Sequence, residues 1–140
     1  MNTDQNSLEN SGNDFMLLFR GGQWYDGLSP EEIQQVMART IRWFENLQAE
    51  GVVKRGHPLG ETGKTVFGSK RGGVVDGPYA ESKEAIGGYL LISAKDFDAA
   101  VEIARSFPKL DYGVAIEVRP ILDECPDLKN AKLRYSLAAA

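Results

Sequence analysis

The pattern of apolar residues after Ser29 constrains the fold of this chain more than any other feature of its sequence. Ser29 is followed by Pro30 and then by Glu32, the arrangement of a helix capping box with proline at the first helical position. Apolar residues then recur at helical spacing before Gly51, namely Ile33, Val36, Met37, Ile41, Phe44 and Leu47. The pattern predicts an amphipathic helix about 30 Å long, whose apolar face must pack against a sheet.

Short apolar segments predict strands on both sides of this helix. They lie at residues 15–20, 52–59, 87–93 and 112–120, with a hairpin at residues 65–76. A second helix is predicted to begin near Ser93, with Asp96 as its capping partner, and to stop before Pro108. The residues that we expect this second helix to bury are Phe97, Ala100, Val101 and Ala104.

The order of the elements predicts an α+β fold. Without the hairpin, the order is the split βαβ arrangement, a ferredoxin-like antiparallel sheet with both helices on one face. The other face of such a sheet is bare, and we expect a second copy of the chain to cover it. The predicted architecture is therefore a dimeric α+β barrel, a homodimer in which each sheet carries an inserted β-hairpin.

Length and composition predict one folded domain at residues 15–121, between a disordered polar tail at residues 1–14 and a C-terminal tail at residues 122–140. The net charge of −4 argues against nucleic-acid binding. No apolar stretch approaches the roughly 20 residues of a membrane helix, so no membrane association is expected. Cys125 is the only cysteine and the N-terminus has no secretory pattern, which together predict a cytoplasmic protein.

Several motifs of the chain resemble the DGPF branch of the YCII-related family. They are FMLLFR, LSPEEIQQVM, VVDGPYAESKEAIGGYLLI and EVRPI, spread over residues 15–121. The resemblance implies a dimeric α+β barrel of ferredoxin-like halves. It also implies two kinds of activity: lyase or dehydrochlorinase-type chemistry through a His–Asp pair, as in the wider superfamily, or a regulatory role. The regulatory role is implied because DGPF-type proteins often occur beside bacterial extracytoplasmic-function sigma factors.

The chain departs from this family at two positions. Relatives commonly carry a histidine near the middle of the long helix, in the position that Thr40 fills here. The phenylalanine of the name motif is replaced by Tyr79. Threonine does not accept a proton at neutral pH, so the acid–base chemistry that the resemblance implies lacks this group.

His57, the sole histidine, is the candidate residue for proton transfer. It lies at the end of the second predicted strand, and Asp76 would orient its ring if the strand end and the DGP corner converge. The alternative is an exposed loop histidine with no catalytic role. One histidine and one cysteine do not suggest a metal site, and no cofactor-binding motif is present, so neither a metal nor a cofactor is expected.

Five further residues are candidates for ligand binding. Arg20 and Arg119 lie at the ends of apolar strands, and arginine can hold a carboxylate or phosphate through two hydrogen bonds. Trp24 can form an aromatic wall over a pocket. Tyr79 and Glu81 line a cleft at the barrel mouth if the DGPYAE block is functional, whereas the same block can be only a turn.

These residues support two main hypotheses of function. The favoured one is a binding module for a small anionic or aromatic ligand, in a regulatory context, because the catalytic set is incomplete. The alternative is a small lyase or isomerase that uses His57 and Asp76 for proton transfer, with Tyr79 or Arg20 polarising the substrate. A third hypothesis, a scaffold that recruits a partner through its polar tails, rests on the tails alone.

Overall fold

The computed structural model describes residues 13–78 and 85–127. Within them the helices and strands are β1 (Asp14–Arg20), α1 (Pro30–Ala49), β2 (Val53–Pro58), β3 (Lys64–Val66), β4 (Val74–Asp76), β5 (Ile86–Ser93), α2 (Phe97–Arg105) and β6 (Ala115–Pro120). Two short 3₁₀ helices span Ser69–Arg71 and Pro108–Tyr112. Most of the N-terminal tail and the end of the C-terminal tail lie outside the described residues.

Four of the strands form one antiparallel sheet in the order β2-β5-β1-β6. The central strand β1 pairs with β5 and β6, so that Leu17 lies opposite Leu90 on one side and Val118 on the other. Strands β3 and β4 pair separately as an antiparallel hairpin at the predicted position. The mixed α+β class, with an antiparallel sheet and two helices, confirms that part of the predicted fold.

Helix α1 begins as the capping box predicts. The Ser29 hydroxyl accepts a hydrogen bond from the Glu32 amide at 3.1 Å, and the Glu32 carboxylate accepts one from the Ser29 amide at 2.9 Å. The buried face of the helix consists of Val36, Thr40, Trp43 and Leu47. The predicted stripe was therefore wrong at Ile41, which is 51% exposed, because the buried face includes Thr40 and Trp43.

Helix α2 begins later than predicted. Its N-cap is Asp96, whose carboxylate accepts a hydrogen bond from the Ala99 amide at 2.8 Å, while Ser93 still belongs to β5. Because Phe97 is then the first helical residue, it is 49% exposed and its ring stacks on Phe15 instead of entering the core.

Among the described helices, none combines the length and apolar character needed to cross a membrane.

Both helices contribute to one core on the same sheet face. The core consists of Phe15, Leu17, Leu90 and Ile92 from the sheet with Trp43, Leu47, Ala100, Ala104, Phe107 and Val114. The Trp43 ring lies 4.9 Å from the Phe107 ring, and its indole N–H donates a hydrogen bond to the Ser106 hydroxyl at 2.8 Å. These contacts fix α1 against the segment that follows α2.

The close approach of β2 to β5 requires glycine at position 56. A Cβ atom there would lie 2.7 Å from the Leu90 side chain and 2.8 Å from the Tyr89 carbonyl oxygen. The carbonyl cannot move without disturbing the β2–β5 ladder.

We therefore expect Gly56→Ala to lower the free energy of unfolding by about 1–3 kcal/mol, measured by urea denaturation. Gly60→Ala is the control, because a Cβ at Gly60 meets no atom within 4 Å, and equal stability of the two variants would contradict the prediction.

Candidate functional site

A cavity of about 780 Å³ lies between α1 and the part of the sheet formed by β2 and β5. This volume is within the range of about 300–1,000 Å³ that is typical of small-molecule sites. The wall is largely apolar and aromatic, and includes Phe19, Trp24, Phe44, Val53, Leu90, Phe107 and Val114. The cavity is therefore suited to an apolar or aromatic molecule, with orientation set by a few polar groups.

The loop after β1 brings Trp24 into the cavity wall. Gly21 starts this loop with φ +88°, and its amide donates to the Ala85 carbonyl at 3.2 Å. The Trp24 ring then packs edge-on to Tyr112, with the ring centroids 6.5 Å apart. The structure thus places Trp24, a candidate from the sequence, beside a pocket.

Gly88 lines the cavity and pairs with Pro58 of the edge strand β2. A Cβ atom at Gly88 would lie 3.1 Å from the His57 carbonyl oxygen and 3.4 Å from the Pro58 Cα. The glycine therefore permits a close approach between the backbones of β5 and β2. A Cβ atom at Gly87 would lie 3.7 Å from its nearest neighbour, the Gly21 carbonyl oxygen, so the packing requirement applies to Gly88.

Thr40 contributes a buried polar side chain to the cavity wall. It is 3% exposed, and its hydroxyl donates a hydrogen bond to the Val36 carbonyl at 2.8 Å. The hydroxyl oxygen can still accept a hydrogen bond, but it cannot act as a base at neutral pH. Thr40 is therefore a neutral polar group in this part of the wall.

Lys109 brings a positive charge to the same wall. Its ammonium nitrogen lies 4.5 Å from the centroid of the Trp24 ring. Burial lowers the pKa of Lys109, because desolvation disfavours the charged amine. No sequence motif marks Lys109, which lies in the short segment PKLDY.

His57 of β2 contacts Tyr89 of β5. Its Nδ1 atom is 2.7 Å from the Tyr89 hydroxyl, and Tyr89 pairs with Leu18, on the sheet face opposite the helices. Asp76, the predicted partner of His57, belongs to the hairpin, where its carboxylate pairs with the Lys64 ammonium at 2.5 Å. In the described part of the chain the two residues therefore have different partners, and their joint catalytic role stays a prediction.

The DGP corner closes the hairpin. The Gly77 amide donates to the Gly63 carbonyl at 2.6 Å, and the Thr65 hydroxyl donates to the Gly77 carbonyl at 2.8 Å. These bonds agree with the interpretation of the first part of the block as a turn. The other two candidates from the block, Tyr79 and Glu81, lie outside the described residues.

Arg20 and Arg119 lie on the sheet face opposite the cavity. Arg20 donates to one Glu117 carboxylate oxygen through Nε at 3.0 Å and through Nη2 at 2.5 Å, and Arg119 donates to the other oxygen at 2.9 Å. The bonds from Arg20, and then those from Arg119, hold the pKa of Glu117 below its ordinary value. The two arginines thus bind a carboxylate of their own chain. They lie on one face of the sheet, and Trp24 lies at the cavity on the other face.

The fold and the site define a mixed α+β protein with an aromatic-lined cavity between its long helix and the edge of an antiparallel sheet. Residues 16–125 match the model of the YCII-related domain, and the chain belongs to this family. One solved structure, the 5-chloro-2-hydroxyhydroquinone dehydrochlorinase of Burkholderia phenoliruptrix AC1100 in complex with 2,5-dihydroxybenzoquinone, is 19% identical, with a TM-score of 0.41. The match covers 75% of this chain and 90% of that chain, and this distant likeness carries no information on the site. Among curated proteins, no match to the chain was found.

Proposed function

We propose that this member of the YCII-related family binds a small aromatic ligand in the cavity between α1 and the β2–β5 edge. The observation that carries the proposal is the composition of the wall, in which Trp24, Phe44 and Phe107 surround a volume of about 780 Å³. Aromatic side chains bind other rings through offset-stacked and edge-to-face contacts. The apolar wall therefore favours a flat, unsaturated molecule over a sugar or another strongly hydrated compound.

The aromatic wall is held in place by its own contacts. Phe107 packs edge-on against Phe19, with ring centroids 5.0 Å apart, and against Trp43 at 4.9 Å. Phe44 also packs edge-on against Trp43 at 5.0 Å. Because these rings are fixed before a ligand arrives, little conformational entropy is lost on binding, which supports a binding role for the cavity.

The buried polar side chain of the wall, Thr40, favours binding over acid–base catalysis. Thr40 lies at the buried wall with its hydroxyl proton directed to the Val36 carbonyl. Neither this hydroxyl nor the apolar wall can remove a proton from a ligand at neutral pH. Thr40 and the aromatic rings can therefore orient a bound molecule, which supports binding.

The proposal is tested by titrating the protein with 2-naphthoate and 2-naphthamide, two-ring probes of nearly equal shape. We expect at least one probe to bind and to raise the melting temperature, because a ligand that binds only the folded state stabilises it. Gln48→Trp should abolish the shift, since Gln48 lies at the cavity rim and the larger ring would block it.

Gln35→Trp is the matched control for this experiment. Gln35 is an exposed residue of the same helix and is not among the residues that line the cavity. Its substitution should leave the binding of both probes unchanged. Failure of both probes to bind the wild-type protein, or undiminished binding to Gln48→Trp, would contradict the proposed function.

A small lyase or isomerase is the second candidate function, and the His57–Tyr89 contact favours it. A histidine ring 2.7 Å from a phenol hydroxyl can exchange a proton with it. In this hypothesis Asp76 would have to reach His57 during the reaction. Product formation from a panel of aromatic acids with a leaving group, lost in His57→Gln, would support the enzyme. A panel without turnover would contradict it.

We also propose that the sheet is ferredoxin-like and that the chain forms a homodimer, a dimeric α+β barrel. The strand order β2-β5-β1-β6, with both helices in one core, supports the first part. The second part is supported by the sheet face opposite the helices, where Met16, Leu18 and Leu91 are only partly buried in a single chain. A second copy would remove these apolar side chains from water.

The homodimer is tested by light scattering coupled to size-exclusion chromatography. We expect the mass of two chains for the wild-type protein and of one chain for Leu18→Glu, because the substitution places a charge at the centre of the proposed interface. Ile41→Glu is the control, since Ile41 is exposed on α1, on the other side of the sheet. A wild-type protein with the mass of one chain would refute the dimer.

We further propose that the chain is of the DGPF branch and serves a regulatory role in the bacterial cytoplasm, beside an extracytoplasmic-function sigma factor. The motif Asp76-Gly77-Pro78, followed by Tyr79 in place of phenylalanine, supports the branch. Ligand binding without turnover is compatible with a sensor. Deleting the gene should then change the transcripts that depend on a neighbouring sigma factor, and unchanged transcripts would count against this role.

A further inference from the structure

We propose that Lys109 is the anchoring cation of the cavity and that the site takes an aromatic carboxylate in preference to a neutral aromatic molecule. This inference rests on the proposed function and narrows it to a class of ligand. Three observations carry it: the position of the ammonium group, the absence of a carboxylate partner in the described residues, and the aromatic composition of the wall around it.

The ammonium group of Lys109 is held at the cavity wall. The residue lies in the 3₁₀ helix Pro108–Tyr112, directly after the buried ring of Phe107. Its Nζ atom is 4.5 Å from the centroid of Trp24, a distance at which a cation is attracted to the face of an indole. Both residues line the cavity, so the positive charge lies beside the aromatic surface that a ligand would contact.

Lys109 has no carboxylate partner in residues 13–78 and 85–127. The ion pairs there join other cations to acids, namely Arg20 and Arg119 to Glu117, Lys54 to Asp14, Lys64 to Asp76, and Arg105 to Glu102. Burial nevertheless lowers the pKa of Lys109, which shows that its charged form is disfavoured where it lies. A ligand anion in the cavity would supply the missing partner and recover part of the desolvation cost.

A carboxylate suits this environment better than a phosphate does. Phosphate groups are usually bound by several donors, such as arginine forks or successive backbone amides. In the described cavity wall the second cation is Arg55, which lies on the exposed edge strand β2. A single ammonium group beside aromatic rings matches one compact negative charge attached to a flat ring.

The affinity for an aromatic carboxylate should fall as the pH rises. A bound carboxylate favours the charged form of Lys109 and so raises its pKa in the complex. Binding is therefore strongest below the pKa of the free protein's lysine, and it weakens as the pH rises through that value. The other ionisable groups around the cavity are Glu45, Arg55, His57 and Tyr89.

The experiment is isothermal titration calorimetry with 2-naphthoate and 2-naphthamide on the wild-type protein and three variants. We expect the wild type to prefer 2-naphthoate. Lys109→Met should weaken 2-naphthoate binding about ten- to a hundredfold, the usual effect of losing a hydrogen bond to a charged group, and should leave 2-naphthamide binding unchanged.

Two further variants distinguish an effect of the charge at Lys109 from an effect of the net charge of the protein. Lys109→Arg keeps the cation and should retain most of the preference for 2-naphthoate. Lys70→Met changes the net charge as Lys109→Met does, but Lys70 is exposed on the hairpin and should have no effect on either probe. Equal losses in Lys109→Met and Lys70→Met would overturn the proposal, because the effect would then come from the overall field of the protein.

The wild-type protein provides a test that does not depend on a variant folding. As the pH rises toward 10.5, the ordinary pKa of a lysine, its affinity for 2-naphthoate should fall while its affinity for 2-naphthamide falls less. Tyr89→Phe, which removes the hydroxyl that contacts His57, should keep this difference. Equal affinity for the two probes at every pH would overturn the role of Lys109 and leave the proposed function standing. Absence of binding by both probes would overturn the proposed function and this inference with it.

Discussion

The contact between Trp43 and Phe107 is the packing interaction on which the rest of the structure depends. The two rings meet edge-on at 4.9 Å, and the indole N–H of Trp43 donates to the Ser106 hydroxyl beside Phe107. This joins the middle of α1 to the end of α2 over the sheet. Because Phe107 also packs against Phe19 of β1, the contact fixes α1 relative to β1. The space left between α1 and the β2–β5 edge is the cavity.

The sequence predicted the elements well wherever a local pattern specifies them. The capping box at Ser29 and Glu32 fixes the first turn of α1 through two hydrogen bonds between near neighbours, and such bonds can be read from spacing. The start of α2 was misplaced because Ser93 and Asp96 are both good N-caps. The structure uses Asp96, since Ser93 is still paired in β5 with Asp14 of β1, a contact between distant segments.

The site was less predictable, because its residues come together only through tertiary packing. Trp24 and Lys109 lie on segments that are far apart in sequence and meet beside the cavity. No periodicity marks Lys109 as a site residue. Phe19 and Arg20 are adjacent, yet alternation along β1 sends one side chain to the cavity and the other to Glu117. The strand-end arginines that the sequence suggested for ligand binding therefore lie in an ion pair on the sheet face opposite the cavity.

The two tryptophans have different surroundings, so the fluorescence of each reports a different property of the protein. Trp43 is buried in the core and hydrogen-bonded to Ser106, so its emission follows the integrity of the fold. Trp24 lies in the wall of the cavity with an ammonium group over its ring, so its emission follows the contents of that space. The protein thus carries its own pair of reporters, one for unfolding and one for occupancy, without any attached dye.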